Sequence, residues 1–376
     1  MQARKHHLYI GLLIVVISTV NVFIFSNALG KVIGRTGPIT FSGGMLAATP
    51  TNPIINVATT TDEATTTEVV APFKKSTNFA PMKLLHFGDA MFDRAVRKTV
   101  DNGTDLFSSL RAMDIMSDYD IRMLNLEGPI IAMPRSECQQ KELNFQFPTS
   151  TAKLLKSEGF NAVTIANNHM LDCNQAGIDS SMKYLLNAEI LAAGYPQIDS
   201  TWVESRNASG TRIAIVGLDA TIGAMSLEKI PTLIAKLKGS HDLVLVTVHW
   251  GDEYAPRAND TQKILAHRWI DAGADVIIGN HPHVIENIEV YKGHAIFYAV
   301  GNFIFDQIGE KQNEGVGVGM SLYSGSSEFM LYPYKIVRAV PTFLSPVEAN
   351  QWCTKYLGVM PNISPSGCAF SLSTVQ

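Results

Sequence analysis

The sequence predicts an α/β protein built on a layered sheet, and three patterns lead to that prediction. Apolar runs of strand length recur from Met82 onward, and amphipathic segments with helical spacing lie between several of them. Strands that alternate with helices are typical of α/β architectures. Near residues 288–306 the helices stop and strand-like runs follow one another, which predicts antiparallel strands there. A chain of 376 residues that is 46% hydrophobic can bury a core of this size.

The first element is an apolar segment at the N-terminus, residues 8–29, which contains no charged residue. A helix needs roughly 20 apolar residues to cross a bilayer, whereas the apolar region of a secretory signal usually has about 7–15. Arg4 and Lys5 precede the segment and favour a cytoplasmic N-terminus. We therefore expect residues 1–30 to be a signal anchor that crosses the cytoplasmic membrane once, with the rest of the chain extracytoplasmic. Cleavage after the small residues at 26–28 is the alternative.

Residues 31–81 follow as a segment rich in Thr, Ala and Pro, without a lasting amphipathic period. This composition is typical of a flexible stalk. We place the folded domain at residues 82–342, and we assign no function to the tail, residues 343–376. The domain's predicted strands are "KLLHFGD", "IRMLNLEG", "AVTIANNH", "RIAIVGLD", "LVLVTVHWGDEY" and "ADVIIGNHPH", and two helical segments are "STAKLLKSEG" and "TQKILAHRWIDAGA".

The cysteine count and the net charge restrict the possible functions. Four cysteines allow three disulfide pairings. We expect the local pairing, Cys138 with Cys173 and Cys353 with Cys368, because it closes short loops. No CxxC spacing is present, so metal binding by the cysteines is the less favoured interpretation. The net charge of −4 without a long basic block argues against sequence-independent nucleic-acid binding.

Polar residues of the metal-binding type follow five of the predicted strands. Side chains at the carboxyl ends of strands in an open α/β sheet converge on one crevice. A set of Asp, Glu, Asn and His suits Zn, Mn or Fe, and two ions roughly 3.5–4 Å apart can bind both reacting oxygens of a phosphoryl transfer. In chain order the residues are Asp89, Asn125, Glu127, Asn167, Asn168, His169, Asp172, His249, Asp252, Glu253, Asn280, His281 and His283.

Each of these residues alone also has a purely structural explanation. An Asp after an apolar run is often a helix cap or a turn residue. Asn167 and Asn168 could cap a helix that begins near Met170. His249 could be a hydrogen-bonded core histidine. Their occurrence together, at the ends of five successive strands, favours a shared site.

The pair His281 and His283 is the hardest to explain structurally. Residues i and i+2 of an extended segment point to the same side, so both imidazoles can address one site. Pro282 between them fixes φ and stiffens the segment.

The order of the motifs resembles the CapA family of capsule and poly-γ-glutamate synthesis proteins. The resemblance covers residues 82–306 and extends to about residue 340. It implies the calcineurin-like metallophosphoesterase fold, a four-layer α/β/β/α sandwich. The matching segments are "GDAMFDR", "NLEGPI", "TIANNHMLD", "VTVHWGDEY", "AGADVIIGNHPHVIENIEVYKG" and "IFYAVGNFIFD".

The resemblance also implies roles for individual residues. His169 is expected to be the general acid, and one or two divalent ions of Mn, Zn or Fe are expected beside it. Two positions depart from the usual pattern. Met91 stands where the wider superfamily has a ligand histidine. The family usually has a glycine within two residues after Asp172, where this chain has Asn174, a residue type that tolerates positive φ. The metal ligands that the resemblance implies are Asp89, Glu127, Asn168, His249, His281 and His283. Apart from the resemblance, Asp172 or Glu253 could accept hydrogen bonds that hold the histidines in one tautomer. Asn125 and Asn302 are further candidates for supporting or substrate-binding residues.

Two functions fit this sequence. The first is an extracytoplasmic, metal-dependent hydrolase that acts on a phosphoester or a cell-envelope polymer. The second is a non-catalytic scaffold or export component that binds an anionic capsule polymer. Both imply the membrane and other capsule-synthesis proteins as partners, and neither implies nucleic acid.

Overall fold

The predicted strands and helices after residue 82 are present in the computed structural model of the protein. The predicted anchor, residues 1–30, and nearly all of the predicted stalk, residues 31–81, lie outside the described residues. Within the part of the chain that is described, no helix is both long enough and apolar enough to cross a membrane. The described residues are 80–194, 202–221, 227–358 and 368–374.

The described residues form fifteen β-strands and seven α-helices. The strands are β1 (Met82–Ala90), β2 (Ile121–Leu126), β3 (Ala162–Thr164), β4 (Leu191–Ala193), β5 (Trp202–Arg206), β6 (Arg212–Asp219), β7 (Leu243–His249), β8 (Val276–Asn280), β9 (Ile288–Tyr291), β10 (His294–Phe297), β11 (Asn302–Ile304), β12 (Glu314–Tyr323), β13 (Ser326–Val337), β14 (Val340–Phe343) and β15 (Ala369–Ser373). The helices are α1 (Arg94–Asp101), α2 (Ser108–Met113), α3 (Thr151–Ser157), α4 (Asn174–Asn187), α5 (Ile230–Lys238), α6 (Asp260–Asp271) and α7 (Pro346–Leu357).

The strands form two sheets. In the larger sheet the order is β14-β13-β12-β1-β2-β3-β4, with β11 beside β1 and β15 beside β13. Strands β1 to β4 are parallel, whereas β12 pairs antiparallel with β1. The smaller sheet has the order β5-β6-β7-β8-β10-β9, in which β6, β7, β8 and β10 are parallel. The antiparallel pairing of β9 with β10 confirms the change of pattern predicted after residue 288.

Three hydrophobic clusters show how the layers stack. One lies between the larger sheet and helices α1 to α4, one between the two sheets, and one between the smaller sheet and helices α5 and α6. Successive residues of one strand belong to different clusters: Leu84 faces the other sheet, and Leu85 faces the helices. The layers therefore follow the order helix, sheet, sheet, helix, and the predicted mixed α/β architecture is confirmed.

The register of the central strands brings their carboxyl ends to one level. Strands β7 and β8 are buried along their whole length, which explains their continuous apolar sequences. In the smaller sheet His249 is paired with Asp219 on one side and with Asn280 on the other. In the larger sheet Asp89 is paired with Asn125. Polar residues that end these strands therefore share one edge of the fold.

The C-terminal segment, for which the sequence predicts no role, contributes to the core between the sheets. Cys353 and Leu357 of α7 and Phe370 of β15 belong to the cluster that lies there. Strand β15 pairs antiparallel with β13, and a disulfide joins Cys353 to Cys368. The described part of residues 343–376 therefore completes the fold.

Candidate metal centre

The six predicted metal ligands lie together at the carboxyl ends of strands from both sheets. Strand β1 supplies Asp89, and Glu127 follows β2 directly. From the smaller sheet, His249 ends β7, and two further histidines follow β8. We call the six residues the strand-end cluster: Asp89, Glu127, Asn168, His249, His281 and His283.

Glu127 is a fully buried carboxylate that lacks hydrogen bonds. Neither of its carboxylate oxygens has a hydrogen-bond partner among the described residues. The nearest ring nitrogens are Nε2 of His283 at 3.7 Å and Nε2 of His169 at 3.9 Å from Oε1. Burial raises the pKa of Glu127 well above its usual value, and the charge of His283 opposes that shift. Because a buried charge is unfavourable unless it is paired or bound to a metal, this carboxylate fits a cation ligand.

Asp89 is held in place by three donors. Its Oδ1 accepts a hydrogen bond from Nδ2 of Asn125 at 2.8 Å, and its Oδ2 accepts one from the backbone N–H of His281 at 3.2 Å. Nδ1 of His283 lies 3.3 Å from Oδ2. The amide of Asn125 is oriented in turn by the hydroxyl of Thr164, which donates to its Oδ1 at 2.9 Å. Asn125 therefore orients the carboxylate of Asp89.

The two histidines after β8 do not lie in an extended segment, and the sequence-based prediction of their backbone is wrong. Strand β8 ends at Asn280, and φ is +99° at His281 and +57° at His283. Positive φ at a non-glycine residue costs about 1–3 kcal/mol and persists where surrounding contacts enforce it. Here those contacts include the hydrogen bond from the His281 N–H to Asp89 and one from the N–H of Tyr254 to the carbonyl of Pro282, 2.8 Å long. The rings still face one site, with centroids 6.0 Å apart.

His249 is surrounded by polar side chains of the cluster. Its Nε2 lies 3.0 Å from Oδ1 of Asn168 and 3.1 Å from Nδ1 of His281. Its Nδ1 lies 3.2 Å from Nδ2 of Asn125. Burial and the neighbouring histidines hold the pKa of His249 well below its usual value. A neutral imidazole keeps the lone pair that a metal ligand requires.

His283 has the opposite electrostatic environment. Burial lowers its pKa, but the carboxylates of Glu127 and Asp89 outweigh burial and raise the pKa to about 9. Its Nδ1 lies 2.9 Å from Oδ1 of Asn302, whose Nδ2 donates to Oε1 of Gln307 at 2.9 Å. Asn302 therefore orients this ring. A proton on His283 offsets the negative charge of Glu127 and Asp89, which a bound cation would also offset.

Within the described residues, two overlapping groups could hold a metal ion. The first is Asp89, Glu127 and His283, and the second is Glu253, His281 and His283. In each group the ligand atoms lie within 4.8 Å of one another, and His283 belongs to both. Glu253, which the sequence suggests as a supporting residue, is one of the possible ligands in the second group. Carboxylate and imidazole donors together suit Mn, Zn or Fe.

His169 is oriented by a carboxylate on the side of its ring away from the cluster. Its Nδ1 lies 2.9 Å from Oδ2 of the fully buried Asp172, and its ring stacks on Phe145 with centroids 4.0 Å apart. The N–H of Phe145 donates to the same Oδ2 at 2.6 Å, and Lys141 forms an ion pair with the other oxygen of Asp172. A carboxylate that accepts from Nδ1 leaves Nε2 to face the cluster.

A disulfide closes the loop beside His169. Cys138 is bonded to Cys173, the residue that follows Asp172. Asn174 after it has φ of +57°, which confirms that the turn forms with Asn in place of glycine. The helix considered at Met170 begins instead at Asn174, and the side chain of Asn167 accepts from the N–H of His169 at 3.2 Å.

Two residues at the site were missed by sequence reasoning. Asp219 ends β6 next to His249, and burial raises its pKa while hydrogen bonds from Thr221 oppose that shift. The same strand-end rule that selected the other residues would have found it. Arg94 lies over the ring of Phe145, 4.9 Å from its centroid; it belongs to the matching segment "GDAMFDR", but it does not end a strand, so the strand-end rule does not select it. Met91 is fully buried in the core under the helices, so it does not replace the absent histidine.

Comparison with known proteins identifies related sequences. The sequence model of a family described as "Bacterial capsule synthesis protein PGA_cap" matches residues 83–307. The capsule biosynthesis protein CapA of Bacillus anthracis is 34% identical over 263 residues, which are 64% of each chain. The PGA biosynthesis protein CapA of Bacillus subtilis is 33% identical over 282 residues, 70% of this chain and 73% of the relative. The match thus spans slightly less than two thirds of the Bacillus anthracis protein.

The fold was also compared with solved structures. A hypothetical protein from Thermus thermophilus is similar over 69% of this chain and 96% of its own, at 18% identity and a TM-score of 0.41.

Proposed function

The chain belongs to the PGA_cap family of bacterial capsule synthesis proteins, and from that premise we propose that its strand-end cluster is a hydrolytic metal centre. Capsule or poly-γ-glutamate synthesis is the process that the family and its relatives indicate. Within it, we propose that the chain hydrolyses a phosphoester or a related bond of an anionic cell-envelope polymer. Other capsule-synthesis proteins would be its partners.

The observation that supports the proposal most strongly is the Glu127 carboxylate. It is fully buried, and its oxygens have no hydrogen-bond partner within the described part of the chain. Asp89 and His283 face the same space. A second buried carboxylate beside an unpaired one is unfavourable without a cation, because two like charges in a low-dielectric site repel each other. The donor set therefore fits a divalent metal ion.

Asp89, Glu127 and His283 would hold one ion, with Glu253 and His281 adding the ligands of a second position that shares His283. A bound divalent cation supplies Lewis acidity, which polarises a substrate oxygen and makes water more acidic. The neutral imidazole of His249, 3.1 Å from His281, supplies a further nitrogen donor on the same side.

His169 would supply the proton for the leaving group. The hydrogen bond between its Nδ1 and Asp172 keeps Nε2 directed at the cluster, and stacking on Phe145 prevents the ring from turning. Proton donation by a positioned side chain is typically worth about 10²–10⁴ in rate.

We also propose that the domain lies outside the cytoplasmic membrane, anchored by residues 8–29. The uncharged apolar character of that segment supports the anchor. The two disulfides support an extracytoplasmic position, because disulfides persist in oxidising compartments and are rare in the cytosol.

The test is metal content and metal-dependent turnover of the detergent-solubilised full chain. Bound Mn, Zn and Fe are measured by mass spectrometry, and hydrolysis of p-nitrophenyl phosphate is followed while Mn²⁺ is added. We expect metal binding and turnover in the wild type and loss of both in Glu127→Gln. The matched control is Glu228→Gln, which neutralises an exposed glutamate in the short helical turn before α5.

The second candidate function, a scaffold that binds an anionic polymer without cleaving it, is favoured by Met91. This side chain stands where the wider superfamily has a ligand histidine, and it faces the core. A scaffold would bind poly-γ-glutamate with the same affinity in the wild type and in His169→Asn, and neither protein would show turnover with any of the three metals. That result would reject the hydrolytic proposal.

A further inference from the structure

Arg94 occupies an unusual place beside the strand-end cluster. It begins helix α1, only five residues after the ligand Asp89, and its φ is +49°. Asp306, which follows β11, holds it there: the carboxylate pairs with Nη2 of Arg94 and accepts from the N–H of Ala95 at 3.0 Å. A left-handed backbone at a non-glycine residue is retained where the surroundings enforce it. The position of this guanidinium is therefore set by the fold.

Two aromatic rings connect the guanidinium to functional residues of the site. Its central carbon lies 4.9 Å from the centroid of Phe145, and Phe145 stacks on His169. The same carbon lies 5.8 Å from the centroid of Phe305, whose ring is 4.8 Å from that of His283. Arg94 is thus separated from the proposed acid and from a proposed ligand by one ring each.

The guanidinium retains donors that nothing in the described part of the chain uses. Its Nε is buried and has no hydrogen-bond partner there, and the contact with Asp306 involves Nη2. The side chain is 32% exposed, although its Nε is buried. An arginine has five N–H donors in a planar arrangement that matches carboxylate and phosphate oxygens.

The negative charge around the site explains why a cationic side chain is needed there to bind an anion. Five carboxylates lie in or beside the cluster: Asp89, Glu127, Asp172, Asp219 and Glu253. An anionic substrate group that approaches them is repelled unless cations offset the field. Lys141 is paired with one of these carboxylates, Asp172, whereas Arg94 is paired with Asp306, which is not among them.

We propose that Arg94 binds the oxyanion of the substrate, a phosphoryl or carboxylate group, next to the strand-end cluster. This inference rests on the proposed function, since it names the group that the same site recognises. Phe145 and Phe305 flank the guanidinium, with its central carbon 4.9 Å and 5.8 Å from their centroids, and its N–H groups would donate to the anion. Arg94 is thus a substrate-binding residue that no strand-end pattern selects.

The test is equilibrium binding, which requires no turnover. Inorganic phosphate and γ-linked triglutamate are each titrated into the full-length protein by calorimetry, with and without Mn²⁺. The variants are Arg94→Gln and Arg94→Lys. The control is Arg111→Gln on α2, which removes the same charge from an exposed arginine that pairs with Asp105 and Glu158. Circular dichroism and Mn²⁺ affinity are measured for every variant.

We expect Arg94→Gln to weaken binding of at least one anion by about tenfold or more, because hydrogen bonds to charged groups are among the strong ones. Arg94→Lys should also bind more weakly, since it loses the planar donors, and Arg111→Gln should bind as the wild type does. Mn²⁺ affinity should be unchanged in all three. The two probes distinguish a phosphoryl from a carboxylate substrate.

Equal affinity of wild type and Arg94→Gln for both anions overturns the inference, as does a wild type that binds neither. If Arg94→Gln does not fold, unchanged binding by Arg94→Lys overturns it instead. Anion binding that depends on Arg94, without turnover by the wild type, supports the inference and rejects the hydrolytic function. Turnover by the wild type, with anion binding unaffected by Arg94→Gln, supports the hydrolytic function and overturns the inference about Arg94.

Discussion

Replacing Glu127 by Gln should stabilise the metal-free protein and abolish its stabilisation by metal. Glutamine keeps the shape of the side chain and removes a charge that is fully buried without hydrogen-bond partners in the described residues. Burial raises the pKa of this carboxyl well above its usual value. The metal-free wild type therefore either retains an unfavourable buried charge or takes up a proton as it folds.

The free-energy cost of proton uptake by Glu127 sets an upper limit on the stabilisation expected from Glu127→Gln. A glutamate in the unfolded chain has a pKa of about 4.3, so protonating it at pH 7 costs about 3.7 kcal/mol, at about 1.36 kcal/mol for each pH unit. The charge of His283, 3.7 Å from Oε1, reduces this cost. We expect metal-free Glu127→Gln to be about 1–3 kcal/mol more stable than the wild type at pH 7.

The dependence on pH has a definite sign. Because the folded-state pKa of Glu127 is raised, its contribution to stability is fully present below about pH 4.3 and is lost as the pH rises through the folded-state value. His283, raised to about 9, acts in the same direction between about pH 6.5 and that value. The metal-free wild type should therefore lose more stability than Glu127→Gln as the pH increases.

The assay is urea unfolding followed by circular dichroism, in EDTA and in Mn²⁺, with Glu228→Gln as the control. Mn²⁺ at about 100 times its Kd should stabilise the wild type and the control by about 2.7 kcal/mol and should leave Glu127→Gln unchanged. The reasoning is refuted if Glu127→Gln is less stable than the wild type in EDTA and Mn²⁺ stabilises both proteins equally.

Three further predictions concern other parts of the structure. His169→Asn should lower turnover by about 10²–10⁴ while the bound metal measured by mass spectrometry stays unchanged; loss of metal would instead identify His169 as a ligand. Cys138→Ser with Cys173→Ser should lower the free energy of unfolding by about 2–4 kcal/mol in urea titrations, and an unchanged midpoint would contradict a stabilising bridge. Asn259→Ala removes the capping box of α6 and should cost about 1 kcal/mol in the same titrations, whereas Asn259→Asp should retain most of the stability.

The strands and the edge where the site lies could be predicted because buried parallel strands have a simple sequence signature. Strand β8 is buried along its whole length, so an apolar run had to form it, and the polar residues after it had to lie at its carboxyl end. The same reasoning placed Asp89 and Glu127. The backbone of His281 and His283 could not be predicted in this way, since its positive φ depends on hydrogen bonds with Asp89 and Tyr254 that are distant in the sequence.

The sequence alone thus determined the α/β class, the ends of the strands and the types of side chain that meet there, because hydrophobic period and residue chemistry are local properties. The tertiary structure decided which of these side chains touch. It paired His169 with Asp172, left Glu127 without a hydrogen bond among the described residues, and placed Arg94 over Phe145. Such contacts join segments far apart in the chain, and they depend on how two sheets and their loops pack.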